Sequence, residues 1–254
     1  MTSATAVRES SERKHMRTNW LDSWQSFAFG PDGTQGNSHF GLLLVSNEDI
    51  IKPGTGFDTH PHQDMEIITW VLEGALVHQD STGHNGIIYP GLAQRMSAGT
   101  GILHSERNDS WTLTGAPEHR NPAHFIQMWM IPDTAGIAPG YEQLDINDQL
   151  REGGWITLAS GMPKHSSLRA IGIRQQHAAL HVARVRPAEI LQLPNAPFVH
   201  LFVARGELTV EGLDHGLAQG DAARITRSEG QRITAGPDGA EILMWEMNAT
   251  ISMH

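Results

Sequence analysis

The chain has 254 residues, a length that allows one large β-domain or two smaller ones. Apolar residues make up 39% and charged residues 18%, a composition that excludes a disordered or fibrous protein. The formal net charge of −10 argues against general nucleic-acid binding and against attachment to anionic membranes. The absence of cysteine excludes disulfides, thiolate metal sites and cysteine nucleophiles, so any metal must be bound by nitrogen and oxygen atoms.

Short strands separated by glycine and proline dominate the predictions for the first half. Residues 1–18 are expected to form a polar arm, whose order the sequence leaves open. The lack of an apolar leader or membrane span favours a cytoplasmic protein. Glu73 and Gly74 predict a hairpin between two of the strands. The apolar runs predict strands within 39–51, 65–80, 87–108 and 124–131.

A break in the strand pattern predicts two domains. Residues 132–143 contain two prolines and two glycines, so we place a boundary there that gives domains 1–137 and 138–254. Residues 141–154 predict one short helix. The second half then predicts further strands within 180–194, 198–212, 217–226 and 240–247.

An internal duplication relates the two halves. WVLEGALVHQ matches FVARGELTVE, which aligns Gly74 with Gly206, and YPGLAQRM matches LAQGDAARI. Gln192 and Pro194 then stand where the first half has two histidines, and neither residue replaces a histidine as a ligand. The second copy is therefore expected to hold no metal and to serve structure or interaction.

Most of the 15 histidines are expected to have no function. Five of them lie in polar or terminal segments, where a solvated surface role is the commoner one. These five are His84, His119, His165, His177 and His254.

Four other residues predict a metal site. His60 and His62 are two positions apart, so in a strand they project from the same face, and the same spacing relates His104 to Glu106. Two such strands side by side would direct three imidazoles and one carboxylate to one point. That set binds a divalent transition metal and leaves positions open for substrate or dioxygen. An exposed turn or a satisfied buried histidine would explain each residue alone, but their joint spacing favours the metal.

The spacing around these residues resembles the cupin pattern G-x5-H-x-H-x3-E followed by G-x5-P-x-G-x2-H-x3-N. The first part fits from Gly54 to Glu66. In the second part Ser97 replaces the usual proline, and four residues rather than two separate Gly99 from His104. These departures are typical of one branch of the cupins. The chain resembles the pirin family, in particular its bacterial quercetin 2,3-dioxygenase-like members, in the segments FDTHPHQDMEIITWVLEG, MSAGTGILHSERN, IQMWMIP and WLDSWQSFAFG.

The resemblance implies an all-β double cupin fold with only short helices and one metal in the N-terminal barrel. It implies His60, His62, His104 and Glu106 as the metal ligands, with Glu66 nearby but not bound. Strand parity alone does not choose between the two glutamates, since Glu66 shares parity with the first two histidines; the resemblance favours Glu106. Fe(II) is the expected ion, although the same ligands accept Ni, Cu, Co, Mn or Zn.

The expected chemistry follows from charge. Three neutral imidazoles and one carboxylate leave a divalent ion with a net charge of about +1, which favours an enolate or phenolate oxygen as a ligand. Glu106 is the predicted catalytic residue, which partly leaves the metal and accepts the hydroxyl proton of the substrate.

The first functional hypothesis is therefore a dioxygenase that cleaves a flavonol such as quercetin and releases carbon monoxide. Its partners would be the flavonol and dioxygen, with no nucleic acid or membrane, and the protein would be a monomer. The alternative is a metal-binding, redox-sensing interaction protein without turnover. A third hypothesis is a cupin isomerase or hydrolase that uses zinc or manganese.

A few residues near the motifs have two interpretations. Gly99 and Gly101 provide either room for a close backbone approach or an ordinary turn. Trp70, Met128 and Met130 are more typical of barrel core than of a substrate cavity. Gln127 is a polar residue in an apolar strand, which either contacts a ligand or satisfies a buried backbone group.

Overall fold

The protein is described here by a computed structural model that covers residues 3–28 and 37–251. His254 lies outside the described residues. Contacts divide the chain into an N-terminal unit, residues 14–38 and 43–146, and a C-terminal unit, residues 1–13, 39–42 and 147–254. This division falls between Ile146 and Asn147, and the domain boundary at 137/138 stays a prediction. Among the helices described, none has the length and apolar character needed to cross a membrane.

Strands make up most of the described chain. The strands of the N-terminal unit are β2 Lys14–Arg17, β3 Leu21–Gln25, β4 Leu43–Ile51, β5 Gly56–His62, β6 Glu66–Glu73, β7 Leu76–Asp80, β8 Asn85–Ile88, β9 Leu92–Ser97, β10 Ile102–Arg107, β11 Ala123–Met130 and β12 Gly140–Asp145. Those of the C-terminal unit are β1 Ala4–Arg8, β13 Ile156–Ser160, β14 Ile171–Gly172, β15 Ala178–Val185, β16 Ile190–Gln192, β17 Asn195–Val210, β18 Leu217–Ala218, β19 Ala222–Glu229 and β20 Arg232–Met247. The predicted strand segments are all confirmed.

The helices that the structure describes are short. They are α1 Trp111–Thr114, α2 Asn147–Glu152 and the 3-10 helices Ser10–Glu12 and Pro163–His165. The predicted helix within 141–154 is present as α2, but its first residues instead form β12. Tyr141 pairs with Met96 of β9 there, so these first residues hydrogen-bond within a sheet and are not available to the helix.

Two sheets form the N-terminal unit within the described residues. One has the strand order β12-β9-β6-β11-β4-β3-β2, and the other has the order β5-β10-β7-β8. The predicted hairpin at Glu73 and Gly74 is wrong, because β6 and β7 lie in different sheets. Gly74 has φ +72°, and a Cβ on it would lie 2.5 Å from the carbonyl oxygen of Pro122. The chain therefore turns from one sheet to the other where only glycine fits.

Two apolar clusters lie in the described part of the N-terminal unit. The larger includes Phe125, Val71 and Leu76, all at 0% exposure. The smaller contains Ile102 of β10 and Met96 of β9, with Trp129 packed against it. Burying side chains of this size contributes roughly 1.5–3 kcal/mol each, so these clusters hold β10 and β11 in fixed positions.

One sheet forms the C-terminal unit in the described part of the chain. Its order is β1-β19-β17-β20-β15-β13-β14, with β16 paired to β20 and β18 to β17. Gly206 of β17 has φ +73°, close to that of Gly74, and a Cβ on it would lie 2.1 Å from the carbonyl oxygen of Gly239. The two glycines that the duplication aligns thus have the same backbone conformation. Gln192 is exposed on β16.

Residues 1–18, a polar arm whose order the sequence leaves open, form strands β1 and β2 and a 3-10 helix in their described part. Strand β1 pairs with β19 from Ala4 to Arg8, and Val7 packs against the apolar core of the C-terminal unit. The Arg13 guanidinium lies 5.1 Å from the centre of the Phe202 ring, a cation–π contact. Strand β2 pairs with β3. Backbone pairing and these few contacts order a segment whose composition is mostly polar.

Candidate metal centre

Three of the four predicted ligands converge on one point. Strands β5 and β10 are antiparallel neighbours, with His60 directly opposite His104 and His62 opposite Ile102. The ligand atoms of His60, His62 and His104 lie within 4.8 Å of one another. Strand alternation explains this arrangement, since residues 60 and 62 share a face and residue 104 meets them across the pair.

The histidine nitrogens are arranged as metal ligands require. The Nε2 atoms of His60 and His104 lie 3.1 Å apart. Two nitrogens bound to one ion at about 2.1 Å are roughly 3.0–3.4 Å apart at right-angled or tetrahedral geometry. Nδ1 of His60 lies 2.7 Å from the carbonyl oxygen of Asp58, which only accepts, so Nδ1 donates to it and Nε2 is the atom that faces the other imidazoles. Nε2 of His62 is buried without a hydrogen-bond partner among the described residues.

Burial keeps the imidazoles in the form that binds metal. Burial and then the nearby His104 and His60 lower the pKa of His62 to about 4. Burial also lowers the pKa of His104 to about 4, despite the opposing effect of the Glu106 carboxylate. Both rings are therefore neutral at pH 7, as metal binding requires.

The fourth predicted residue, Glu106, lies beside this triad and belongs to a second group. Its carboxylate clusters with His104 and His78 within 4.8 Å, so His104 is common to both groups. The pairing of β10 with β5 shifts register between His104 and Glu106, although its pairing with β7 does not. Burial alone would raise the pKa of Glu106, but His104, His78 and a hydrogen bond from Gln127 lower it below its ordinary value. The carboxylate is therefore ionised at neutral pH.

Gln127 holds the Glu106 carboxylate in place. The indole N–H of Trp129 donates to Oε1 of Gln127 at 2.9 Å, which directs the Gln127 amide nitrogen towards Glu106. That nitrogen donates to Oε2 of Glu106 at 2.7 Å, and the Thr69 hydroxyl donates to Oε1 at 3.3 Å. The Trp129 ring also packs edge-on against His62, with ring centroids 4.8 Å apart. Gln127, a residue with two interpretations in the sequence, thus contacts the site directly.

His78 and Asp80 of β7 support His104 from the side opposite the triad. Nδ1 of His78 lies 3.5 Å from Nδ1 of His104, and Nε2 of His78 lies 3.3 Å from Oδ2 of Asp80. Burial alone would raise the pKa of Asp80, but hydrogen bonds from Thr82, the His84 backbone and His78 lower it to about 2. The ionised Asp80 accepts from Nε2 of His78, so Nδ1 of His78 accepts from His104 and leaves Nε2 of His104 for a metal.

The remaining candidate residues lie outside the two groups. Glu66 is buried on β6 and is absent from every potential ligand group found among the described residues. Trp70, Met128 and Met130 are at most 2% exposed, as core residues are. A Cβ on Gly99 would lie 2.1 Å from the carbonyl oxygen of Ile137, which supports the close-approach interpretation of this glycine.

A surface pocket reaches the triad. It has a volume of about 470 Å³, and its lining includes His62 together with the apolar Pro61, Ile102 and Leu103. This volume is in the range of pockets that bind small organic molecules. The pocket gives His62 of the triad a mostly apolar approach of suitable size for a small ligand.

The sequence comparisons decide the family. The sequence model described as Pirin matches residues 6–130. A Mycobacterium tuberculosis (strain H37Rv) protein, named provisionally as a quercetin 2,3-dioxygenase, is 51% identical over 251 residues, covering 99% of this chain and 98% of that protein. The chain belongs to the pirin family. The quercetin 2,3-dioxygenase of Escherichia coli K12 is 46% identical over 137 residues, 54% of this chain and 56% of that one.

Solved structures agree with this membership. The bacterial pirin YhhW of Escherichia coli, solved in complex with nickel(II), has a TM-score of 0.84 and 32% identity, covering 97% of this chain and all of that one. A quercetin 2,3-dioxygenase from Acinetobacter baumannii has a TM-score of 0.71 at 17% identity over 98% of this chain and 79% of that one, a likeness of fold alone. The all-β double cupin fold predicted for this pirin-family chain is confirmed.

Proposed function

We propose that this pirin binds one divalent transition metal in its N-terminal unit and uses it to cleave a flavonol such as quercetin with dioxygen. The observation that carries the proposal is the convergence of the ligand atoms of three imidazoles, two of which have lowered pKa values, beside an ionised carboxylate. The names of the relatives from M. tuberculosis and E. coli support the reaction class. Fe(II) is the proposed ion, and the nickel complex of YhhW supports a divalent metal in general.

His60, His62 and His104 would hold the ion, and Glu106 would complete the set. The donor set fits a divalent transition metal, because the Nε2 atom of His62 is buried and has no hydrogen-bond partner in the described structure. When bound, the ion supplies a Lewis-acidic centre with open positions for an anionic substrate oxygen and for dioxygen.

Glu106 would have a second role as a proton acceptor. Its carboxylate is ionised at neutral pH, which is the state that a general base needs. The amide of Gln127 and the hydroxyl of Thr69 fix both oxygens, so the carboxylate presents itself in one orientation. Its lowered pKa also makes the Glu106 carboxylate a weak base. It therefore accepts a proton best from a hydroxyl group whose own pKa is lowered.

The pocket beside His62 would admit the substrate. Its apolar residues Pro61, Ile102 and Leu103 match the flat, mostly apolar rings of a flavonol. The Trp129 indole packs nearly perpendicular to the His62 ring, covers one side of it and limits the direction from which a ligand reaches it. These residues would bind and orient the substrate without chemical participation.

Anaerobic metal loading followed by addition of a flavonol tests this proposal. The loaded protein should change the absorbance of the flavonol under nitrogen and bleach it only after air is admitted. A fully metallated protein that leaves the flavonol unchanged in both conditions would contradict the dioxygenase and favour the non-enzymatic, metal-sensing interaction protein.

A further inference from the structure

A second group of potential metal ligands lies in the C-terminal unit. His165, His181 and Glu246 each offer one ligand atom, and these atoms lie within 4.8 Å of one another. We propose that this cluster is a second divalent-metal site, which binds a zinc- or nickel-type ion more weakly than the centre at His60. It departs from the sequence-based expectation that the second half binds no metal, and it does not depend on the dioxygenase activity.

The fold of the C-terminal unit brings the three residues together. Strands β15 and β20 are antiparallel neighbours, and Glu246 stands opposite Ala179, two residues from His181. Residues 179 and 181 share a face, so the side chains of His181 and Glu246 are diagonal neighbours on that face. His165 ends the 3-10 helix Pro163–His165 and brings its ring to 5.5 Å from that of His181, measured between centroids.

His181 has the burial and the ring-nitrogen contacts that are typical of a metal ligand. The residue is only 7% exposed, and Nε2 forms no hydrogen bond within the described residues. The Nδ1 atom lies 3.2 Å from the Thr157 hydroxyl, and Nε2 lies 3.5 Å from Oε2 of Glu246. An ion between Nε2 and Oε2 would replace this long ion pair and give the buried imidazole nitrogen a close partner.

His165 has a similar arrangement. Its Nδ1 atom lies 3.0 Å from the Ser160 hydroxyl oxygen, which also accepts the backbone N–H of Met162 at 3.0 Å. Each imidazole of the cluster is thus oriented through Nδ1 by a hydroxyl group, as the non-binding nitrogens of metal-ligating histidines commonly are. Burial, and then His181 and Lys164, lower the pKa of His165 below its ordinary value.

Lys164 explains why the site should be the weaker of the two. Its ammonium lies 2.5 Å from Oε1 of Glu246, which leaves Oε2 on the side of His181. The ammonium reduces the negative charge available to an ion, but its side chain is 53% exposed and can move into solvent. Two imidazoles and one carboxylate suit zinc or nickel in preference to calcium or magnesium.

Titration of the untagged, metal-stripped full chain with Zn(II) and with Ni(II), followed by calorimetry, tests the proposal. Two binding events per chain are expected. His181→Ala should weaken only the second by at least about 100-fold, since losing a ligand exceeds the ten- to hundred-fold loss from removing a ligand's hydrogen-bond partner. His62→Ala should remove only the first. Lys164→Gln should tighten the second about five-fold, the equivalent of one exposed ion pair.

Two further variants make the result decisive. His165→Gln changes a partly exposed residue on a 3-10 helix and reports on the site even if His181→Ala does not fold. His215→Ala, at an exposed histidine of the same unit, should leave both events unchanged. A single binding event in the unaltered chain would overturn the proposal. So would a second event whose affinity in both His165→Gln and His181→Ala is the same as in the unaltered chain.

Discussion

The Nδ1 atoms of His78 and His104 face each other at 3.5 Å, while Asp80 contacts the other nitrogen of His78. In this series of hydrogen bonds, His104 donates to His78 and His78 donates to Asp80. The Nε2 lone pair of His104 is thereby left free to face His60 and His62. Residues on β7 therefore set the protonated form of a predicted ligand on β10.

Removing the acceptor at position 78 should weaken metal binding without unfolding the protein. We expect His78→Leu to lower the metal affinity of the N-terminal centre by about 10–100-fold, because His104 then loses the partner that fixes its tautomer. His78→Gln, which keeps an acceptor, should lose less. Competition titration measures the affinities, with His215→Leu at an exposed histidine of the C-terminal unit as control. Equal affinities in His78→Leu and the unaltered chain would contradict the arrangement.

Substitution of the two buried glutamates should separate their roles. Glu106→Gln keeps an oxygen ligand but removes the charge and the basic site, so turnover of a flavonol should fall by about 10²–10⁴-fold, the usual contribution of general acid–base catalysis. Glu66→Gln should have a much smaller effect, since Glu66 belongs to neither ligand group of this centre. Turnover is measured with both variants fully metallated. A reversed order of the two effects would make Glu66 the ligand.

The lowered histidine pKa values predict how metal binding depends on pH. A lowered pKa means that the neutral, metal-binding form persists until the pH falls to that value. His62 and His104, each with a pKa of about 4, should thus not compete with protons for the metal between pH 7 and pH 5.5. The contribution of these two histidines to the metal affinity should be lost only as the pH approaches about 4. Isothermal titration across this range checks the prediction, and loss of affinity with uptake of two protons near pH 6.5 would contradict it.

Gly74 should tolerate a side chain less well than Gly54. Both residues have φ +72°, but a Cβ on Gly74 meets the Pro122 carbonyl oxygen at 2.5 Å, whereas one on Gly54 has nothing within 4 Å. Gly54→Ala should cost about 1 kcal/mol of unfolding free energy from backbone strain alone. Gly74→Ala should cost about 2 kcal/mol more, because the backbone must move. Denaturant unfolding compares them, and equal costs would show that the corner at Gly74 is not constrained.

Strand periodicity predicted the triad but not its surroundings. Residues 60 and 62 share a face in any strand, and the spacing of the two motifs placed residue 104 near them. The sequence did not indicate which strands are neighbours. The incorrect hairpin at Glu73 and Gly74 put β7 beside β6, whereas β7 actually pairs with β10, so His78 was missed.

Non-local pairing also accounts for the position of Glu106. Its parity with His104 is real, but Glu106 stands opposite His78 in the pairing of β10 with β7, and its carboxylate groups with His78 and His104. The only available signal for His78 and Asp80 was their i, i+2 spacing in an apolar strand. The same limit applies to His165 and Glu246, which lie far apart in the sequence and meet only in the folded C-terminal unit.

Oxygen-dependent cleavage of a flavonol is the measurement that tests the central claim most directly. Metal-loaded protein should be mixed with a flavonol and, separately, with the flavone that lacks the 3-hydroxyl group, first under nitrogen and then in air. Only the flavonol should show a red-shifted absorbance under nitrogen, because only its 3-hydroxyl oxygen can bind as an anion, and only the flavonol should bleach in air and release carbon monoxide. Equal consumption of flavone and flavonol, or bleaching without dioxygen, would contradict the account.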